Sequence, residues 1–266
     1  MDKVTPPILE RYELKFVIPE DMIEPISKFV SVYCSLDKYS KMTEDNFYGV
    51  NNLYLDTPSY LFLRNRLVGC ENRFNMRIRS YGDDPHFPYF LEIKQKKVDV
   101  ILKYRGRIYE EDWHELITMS NFTPRKTASE KEFSNIQLFQ RLALSYNIEP
   151  KVFTQYKRKA YVSDHEEYGR VTFDLTLRYM TADHYTLSPV EERMIPYDHP
   201  TYFDDGCNVI LEMKCYTSHV PLWMIDCIRA FGLRRRSFSK YATGVAEVLR
   251  LYKCDSTHCE PSICYV

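Results

Sequence analysis

The sequence predicts an α+β fold in which an antiparallel sheet closes into a β-barrel with peripheral helices. Three observations carry this reading. Seven or more extended runs follow one another along the chain, and helical periodicity is confined to the segments between and after them. Several of the runs alternate charged with bulky apolar residues, which gives a strand one apolar and one charged face. Many strands with no evident edge-blunting device are accommodated by closure, which removes the edges.

The elements read in chain order as follows. Leu9 to Ile18 is a strand stopped by Pro19, after which Met22, Ile23, Ile26, Val30 and Tyr33 recur at helical spacing. Tyr48 to Asp56 is a second strand. Thr57 can cap, and Pro58 can begin, a helix reaching about Val68. Asn72 to Tyr81, Tyr89 to Lys97 and Ile101 to Glu110 form an antiparallel meander, with Gly82-Asp83-Asp84-Pro85 as turn chemistry. Phe133, Ile136, Leu142 and Tyr146 mark one face of a helix. Extended runs resume at Lys151 to Val162 and Arg170 to Tyr179, then a weaker one at Arg193 to Tyr197 and a strand at Val209 to Tyr216. Helices around Pro221 to Phe231 and Lys240 to Leu251 complete the series. No Pro/Gly/Ser-rich linker interrupts it, so residues 1–252 are expected as a single domain and 253–266 as a loosely ordered tail.

Composition narrows the function classes. A chain of 266 residues buries a sizeable core, and a net charge of −1 argues against a broad basic surface, so any basic site is local and nucleic acid is not an expected partner. Met1 to Lys15 has no apolar core of a signal peptide, and charged residues interrupt every hydrophobic segment short of the roughly 18 residues a span requires. A cytoplasmic location is expected, with a membrane partner left open. The eight cysteines are scattered through helices and strands and read as reduced thiols. Cys254, His258, Cys259 and Cys264 lack the close spacing of a zinc knuckle. There is no P-loop, dinucleotide fingerprint or HExxH, and the 22 tyrosines read as positions packed against helices instead of base-stacking platforms.

The charged alternation carries the chemistry. Arg11, Glu13 and Lys15 alternate with Tyr12, Leu14 and Phe16, and Arg73, Asn75, Arg77 and Arg79 with Phe74, Met76 and Ile78. Glu92, Lys94 and Lys96 alternate with Leu91, Ile93 and Gln95, and Glu212 and Lys214 with Leu211, Met213 and Cys215. An open sheet with one solvated face would alternate in the same way. Against that reading, within these four strands Glu-x-Lys recurs three times, at Glu13, Glu92 and Glu212, and Arg77-x-Arg79 adds a like-charged pair.

With the apolar faces turned outward onto helices, Lys15, Arg77, Arg79, Lys94, Lys96, Arg158, Lys214 and Lys240 converge. Glu13, Glu92, Asp174 and Glu212 are too few to neutralise them, and desolvating uncompensated charge is costly, so an anionic occupant or abundant water is required. Same-face residues about 6.6 Å apart suit a linear phosphate chain. Arg offers a planar fork, Lys a point charge, and the carboxylates hard oxygen ligands for Mg²⁺ or Mn²⁺.

Five segments together resemble the vacuolar transporter chaperone (VTC) type domain of the triphosphate tunnel metalloenzyme superfamily. They are Glu13-Leu14-Lys15, Arg77-Ile78-Arg79, Glu92-Ile93-Lys94-Gln95-Lys96, Glu212-Met213-Lys214 and Ser237-Phe238-Ser239-Lys240-Tyr241, within a span from about Arg11 to Leu251. The resemblance implies a tunnel barrel and, for the polymerase members, transfer of the ATP γ-phosphate to a growing polyphosphate chain with Mn²⁺ or Mg²⁺. It carries over Lys15, Arg77, Arg79, Lys94, Arg158 and Lys240 as catalytic phosphate ligands, Ser239 as a supporting donor and Glu212 as the leading metal ligand. Lys96, Lys214, Glu13, Glu92 and Asp174 are further tunnel residues, the three carboxylates being additional metal candidates. The superfamily's hydrolases and cyclases resemble Glu-x-Glu-x-Lys at the first strand, where this chain has Arg11-Tyr12-Glu13-Leu14-Lys15. That departure favours the polymerase branch. A triphosphatase of the same fold and a noncatalytic polyphosphate or nucleotide sensor stay open as alternatives.

Overall fold

The computed structural model describes residues 11–82, 88–98, 100–109, 112, 115–116, 122–124, 129–197, 206–216, 220–236 and 238–248. The cysteine-bearing tail and the turn at 83–85 lie outside these residues. Ten strands are named β1 Arg11–Pro19, β2 Cys34–Leu36, β3 Tyr48–Asp56, β4 Asn72–Tyr81, β5 Tyr89–Lys97, β6 Val100–Ile108, β7 Glu149–Ser163, β8 Gly169–Thr181, β9 Ile195–Pro196 and β10 Cys207–Tyr216. The helices named among the described residues are α1 Ile23–Val30, α2 Leu61–Leu67, α3 Glu130–Ser145, α4 Leu222–Ala230 and α5 Lys240–Val248. The hydrogen-bonded order is β1-β10-β8-β7-β3-β4-β5-β6, with β2 on β7 and β9 on β8. The recorded registers are all antiparallel.

The antiparallel sheet with helices agrees with the sequence reading, while closure into a barrel is not seen among the described residues. Among the described residues no pairing joins β6 to β1, and each edge is covered in another way. At β6, Asn135 Nδ2 donates to Arg105 O at 2.9 Å and Glu132 Oε1 accepts from Arg107 N at 3.1 Å, so α3 side chains satisfy the edge backbone. At β1, Arg235 bridges Phe16 and Arg236 N donates to Lys15 O at 2.8 Å. Covering removes the penalty of an exposed edge as closure would.

The contacts divide the chain into two compact units. The first draws on Met1–Tyr48, Arg158–Leu175 and Phe203–Phe238, the second on Gly49–Lys157, Thr176–Tyr202 and Ser239–Val266. In the first, Phe16, Ile18, Val171, Phe173, Val209, Leu211 and Met213 from alternate strand positions pack with Ile23, Ile26 and Val30 of α1 and Trp223, Met224 and Cys227 of α4. In the second, Leu53, Leu55, Met76, Ile78, Leu91, Ile93 and Ile108 pack with Phe62 of α2 and Ile136 and Phe139 of α3. In each unit period two therefore sends one set of side chains into a helix-covered core and leaves the charged set on the other face. Gly106 of β6 is obligatory here, because a Cβ would collide with the Ile136 side chain of α3.

Helix starts are set by local capping. Ser129 accepts from Glu132 N at 3.2 Å and starts α3. The sequence reading of Thr57 as cap and Pro58 as first turn is corrected in detail: α2 begins at Leu61, after Tyr60 in the left-handed region at φ 56°. Its start is held by Asp56, fully buried at the end of β3, which accepts from Thr57 N at 2.7 Å, Phe62 N at 2.9 Å and Leu63 N at 2.9 Å, while Thr57 Oγ1 accepts from Leu61 N at 3.0 Å. Tyr241 of α5 donates its hydroxyl to the same carboxylate. The short strand β2 and the 3-10 turn Ser40–Met42 have no counterpart in the sequence reading.

Asp56→Ala leaves three backbone amides and a buried phenol without their acceptor. It is expected to cost about 3 kcal/mol and to lower the melting temperature by roughly 6 to 12 °C, read by calorimetry or urea unfolding.

Candidate functional site

In the second unit the meander registers align polar side chains in ranks across four strands. Tyr54 lies opposite Arg77, Arg77 opposite Glu92, and Glu92 opposite Arg105. Beside this rank, Asn52 lies opposite Arg79 and Arg79 opposite Phe90, and on its other side Asn75, Lys94 and Lys103 align. Directly opposed residues share a sheet face. All of these therefore occupy the face away from the helix-packed core.

Glu92 is the anionic centre of the face and is 2% exposed. Its Oε2 receives Arg77 Nε at 2.7 Å and lies 2.5 Å from Arg77 Nη2. Its Oε1 lies 2.8 Å from Lys103 Nζ and 3.2 Å from Arg105 Nε. Arg79, also buried, donates from Nε to Asn52 Oδ1 at 2.7 Å and from Nη2 to Tyr156 Oη at 3.2 Å. The Tyr81 hydroxyl accepts from Arg105 Nη2 at 2.8 Å and Arg79 Nη1 at 3.5 Å. Tyr54 Oη accepts from Arg77 Nη1 at 3.2 Å, and Lys240 Nζ stands 4.6 Å from the Tyr156 ring centre.

The titrating groups register the resulting positive potential. Burial pushes the Tyr81 phenol up, yet Arg79 and Arg105 overcome it and bring it from 10.0 down to about 7. Tyr54 is likewise raised by burial but lowered overall by Arg77, Arg79 and Lys240. Burial drives Lys103 down to about 8, aided by Arg77 and Arg79 and opposed by Glu92. Glu92, despite burial, is held well below the ordinary carboxylate range by Arg77, Arg79, Lys103 and Arg105.

The first unit presents a second charged face with a different balance. Glu13 lies opposite Lys214 and Lys214 opposite Arg170, while Lys15 lies opposite Glu212 and Glu212 opposite Thr172. Lys214 Nζ bridges Glu212 Oε2 at 3.2 Å and Glu13 Oε1 at 3.5 Å, and Lys15 Nζ is 3.6 Å from Glu212 Oε1 while donating to Phe238 O at 3.1 Å. Arg158 forks onto Asp174 with Nε at 2.6 Å and Nη2 at 2.7 Å, and Arg170 Nη2 meets Asp37 at 2.9 Å. Burial disfavours the Lys214 ammonium, but Glu212 and Glu13 raise it overall. Among the described residues four cations here meet four carboxylates, whereas in the second unit several cations converge on Glu92.

Of the residues singled out from sequence, Arg77, Arg79, Glu92 and Lys240 belong to the second unit's cluster. Lys94 shares that face by register but is exposed, and Lys96 lies opposite Arg73 and Ile101 nearer the hairpin end. Lys15, Glu13, Glu212, Lys214, Arg158 and Asp174 form the first unit's cluster. Ser239 Oγ accepts from Ala242 N at 3.3 Å, a capping contact at the start of α5. The sequence reading missed Lys103 and Arg105, although Lys103-Tyr104-Arg105 shows the same alternation as the strands it did use. It also placed tyrosines on the helix-packed side. Tyr54, Tyr81 and Tyr156 are corrected to the charged face, where their hydroxyls accept from guanidinium groups.

A helix-backed antiparallel sheet with a charged opposite face defines a class of fold seen in solved structures. A candidate adenylate cyclase from Bacillus halodurans matches with a TM-score of 0.50 at 11% identity, over 87% of this chain and 94% of that one. A candidate adenylyl cyclase from Hippeastrum, described as having a dominant triphosphatase activity, matches with a TM-score of 0.50 at 14% identity, over 90% and 96%. At these identities the likeness is one of fold, the triphosphate-tunnel-like fold. The VTC domain family matches residues 10–249, and the chain belongs to that family. No curated protein matches it. Among the described residues no helix is long and apolar enough to cross a membrane.

Tyrosinate absorbance is expected to show one phenol titrating near pH 7, absent in Tyr81→Phe. Between about 7 and 10.0 the folded chain binds fewer protons than the unfolded one at Tyr81, so this group's contribution to stability is absent at lower pH and grows across that window. Urea unfolding of the wild type should accordingly gain more stability with rising pH than Tyr81→Phe does.

Proposed function

We propose that the chain binds the phosphate chain of ATP, triphosphate or polyphosphate and acts as a polyphosphate polymerase, transferring the ATP γ-phosphate to a polyphosphate end. The observation that carries this reading is the second unit's charge imbalance. Arg77, Lys103 and Arg105 converge on the single carboxylate of Glu92, Arg79 stands beside them, and two phenols are drawn toward ionisation by the surplus. Such a face is stabilised by an anion with several charges in a row.

In the transfer, the bond from the γ-phosphorus to its bridging oxygen breaks and a bond to a terminal oxygen of the acceptor chain forms, with ADP leaving. Negative charge is spread over the moving phosphoryl group, so catalysis rests on positioning and on donors already in place. Arg77 and Arg79 supply forks oriented by Glu92, Asn52 and Tyr156, and Lys103, Arg105 and Lys240 supply further charge. Lys94, Lys96, Lys15, Arg158 and Lys214 are proposed as further phosphate ligands, and Ser239 as a hydroxyl donor.

Mg²⁺ or Mn²⁺ takes one or two carboxylates and completes its shell with phosphate oxygens and water. Among the described residues no group of three His, Cys, Asp or Glu could hold an ion alone. Glu212 and Glu13 fit the smaller requirement, since they converge on a shared cationic position filled by Lys214 Nζ. Asp174 and Glu92 fit it less well, because both oxygens of each are engaged by Arg158 or by the meander cations. A bound divalent ion would supply charge neutralisation at the phosphate oxygens.

The fold neighbour from Hippeastrum favours a second reading, a triphosphatase in which water replaces the acceptor chain. Product length decides. ATP with Mn²⁺ or Mg²⁺ is expected to yield long chains; free phosphate alone would establish the triphosphatase, and neither product would leave a sensor. Arg79→Ala is expected to lower the rate by about 10² to 10³, as loss of a preorganised donor does. Glu212→Gln should lose activity while retaining triphosphate binding, and unchanged activity would remove Glu212 from the metal assignment.

A further inference from the structure

The segment Arg234–Arg236 lies along the outer edge of β1. Leu233 N donates to Ile228 O at 2.9 Å as α4 ends, and Gly232, at φ 57°, turns the chain. Arg235 then bridges Phe16 in antiparallel sense, and Arg236 N donates to Lys15 O at 2.8 Å. All three arginines are exposed.

The bridge decides which way they face. Opposed residues of an antiparallel pair share a sheet face, and neighbours along the chain alternate. Arg235 goes with Phe16 to the helix-packed side. Arg236, opposite Lys15, and Arg234, opposite Val17, go to the side of Glu13, Lys15, Glu212 and Lys214. Arg236 thus continues the rank Thr172, Glu212, Lys15 by one more strand position.

We propose that Arg234 and Arg236 form a further phosphate subsite, extending the first unit's charged face and holding the body of a long polyphosphate chain, with Arg235 outside it. Among the described residues, Lys15, Lys214, Arg158 and Arg170 of that face meet Glu212, Glu13, Asp174 and Asp37. The planar guanidinium forks at this edge suit phosphate oxygens. From β8 across β10 and β1 to the segment is three strand spacings of about 4.8 Å, roughly 14 Å. A chain laid along the rank reaches the edge; a short anion seated among the inner residues does not. The inference rests on the polyphosphate reading and adds a determinant of chain length to it.

Arg236→Gln and Arg235→Gln remove the same charge from the same segment on opposite faces, which makes each the control for the other. Calorimetric titration with inorganic triphosphate and with long-chain polyphosphate reads both. Arg236→Gln, and more so Arg234→Gln/Arg236→Gln, is expected to weaken long-chain binding about tenfold and to make its salt dependence shallower by roughly one counterion per arginine. Triphosphate binding and Arg235→Gln should stay near wild type, and Arg236→Lys should restore most of the loss. Equal losses for Arg235→Gln and Arg236→Gln, equal losses for short and long anions, or no loss would each overturn the subsite. Wild-type protein that binds neither anion would instead overturn the polyphosphate reading itself. Melting curves of every variant separate lost binding from lost folding.

Discussion

The second unit turns on one electrostatic constraint, a buried carboxylate shared among more cations than it can neutralise. Glu92 sits between two strands, with Arg77 from β4 on one side and Lys103 and Arg105 from β6 on the other. An isolated buried charge of either sign is costly, and a buried pair is sustained by further hydrogen bonds to its remaining polar atoms. That is why Asn52, Tyr54, Tyr81 and Tyr156 surround the guanidinium groups: they complete donor geometry, and the Tyr81 phenol, brought down to about 7, can also take up part of the surplus charge. The face is thereby fixed in shape and left positive, which is the condition for preorganised binding of a polyanion.

The first unit uses the same strand grammar toward a different balance. Its cations and carboxylates pair across β1, β10 and β8, and Arg158 and Asp174 form a closed fork. Matched pairs hold geometry and cost little when partly solvated. In both units the strand period sends large apolar side chains into the helices, so the charged faces are positioned by the hydrophobic core behind them.

Much of this was legible in the residues. β3, β4 and β5 have the bounds that alternation predicts, because each carries an apolar row long enough to register against a helix. The three-residue β2 was not legible, since it is defined by pairing with β7 and not by its own pattern. Edge covering was not legible, because it depends on Asn135 and Glu132 of a distant helix and on a backbone bridge at Arg235. Lys103 and Arg105 were missed although their alternation is plain, while the tyrosines were misplaced because a tyrosine suits either a core wall or a polar rank. Division of the charges into a matched set and a surplus set could not be read from spacing, since it depends on which strands become neighbours.

The tie between Tyr241 and Asp56 joins positions 185 residues apart, and Lys240 beside it stands over Tyr156. Such distant pairings slow folding, because loop closure must precede the contact that rewards it. A nascent chain emerging from the ribosome can thus form the β3–β6 meander early, with Asp56 already held by the amides of Thr57, Phe62 and Leu63, yet it lacks the Tyr241 tie and the Lys240 cation until translation has passed residue 241. The last cation of the second unit's charged face is therefore also the last to be made.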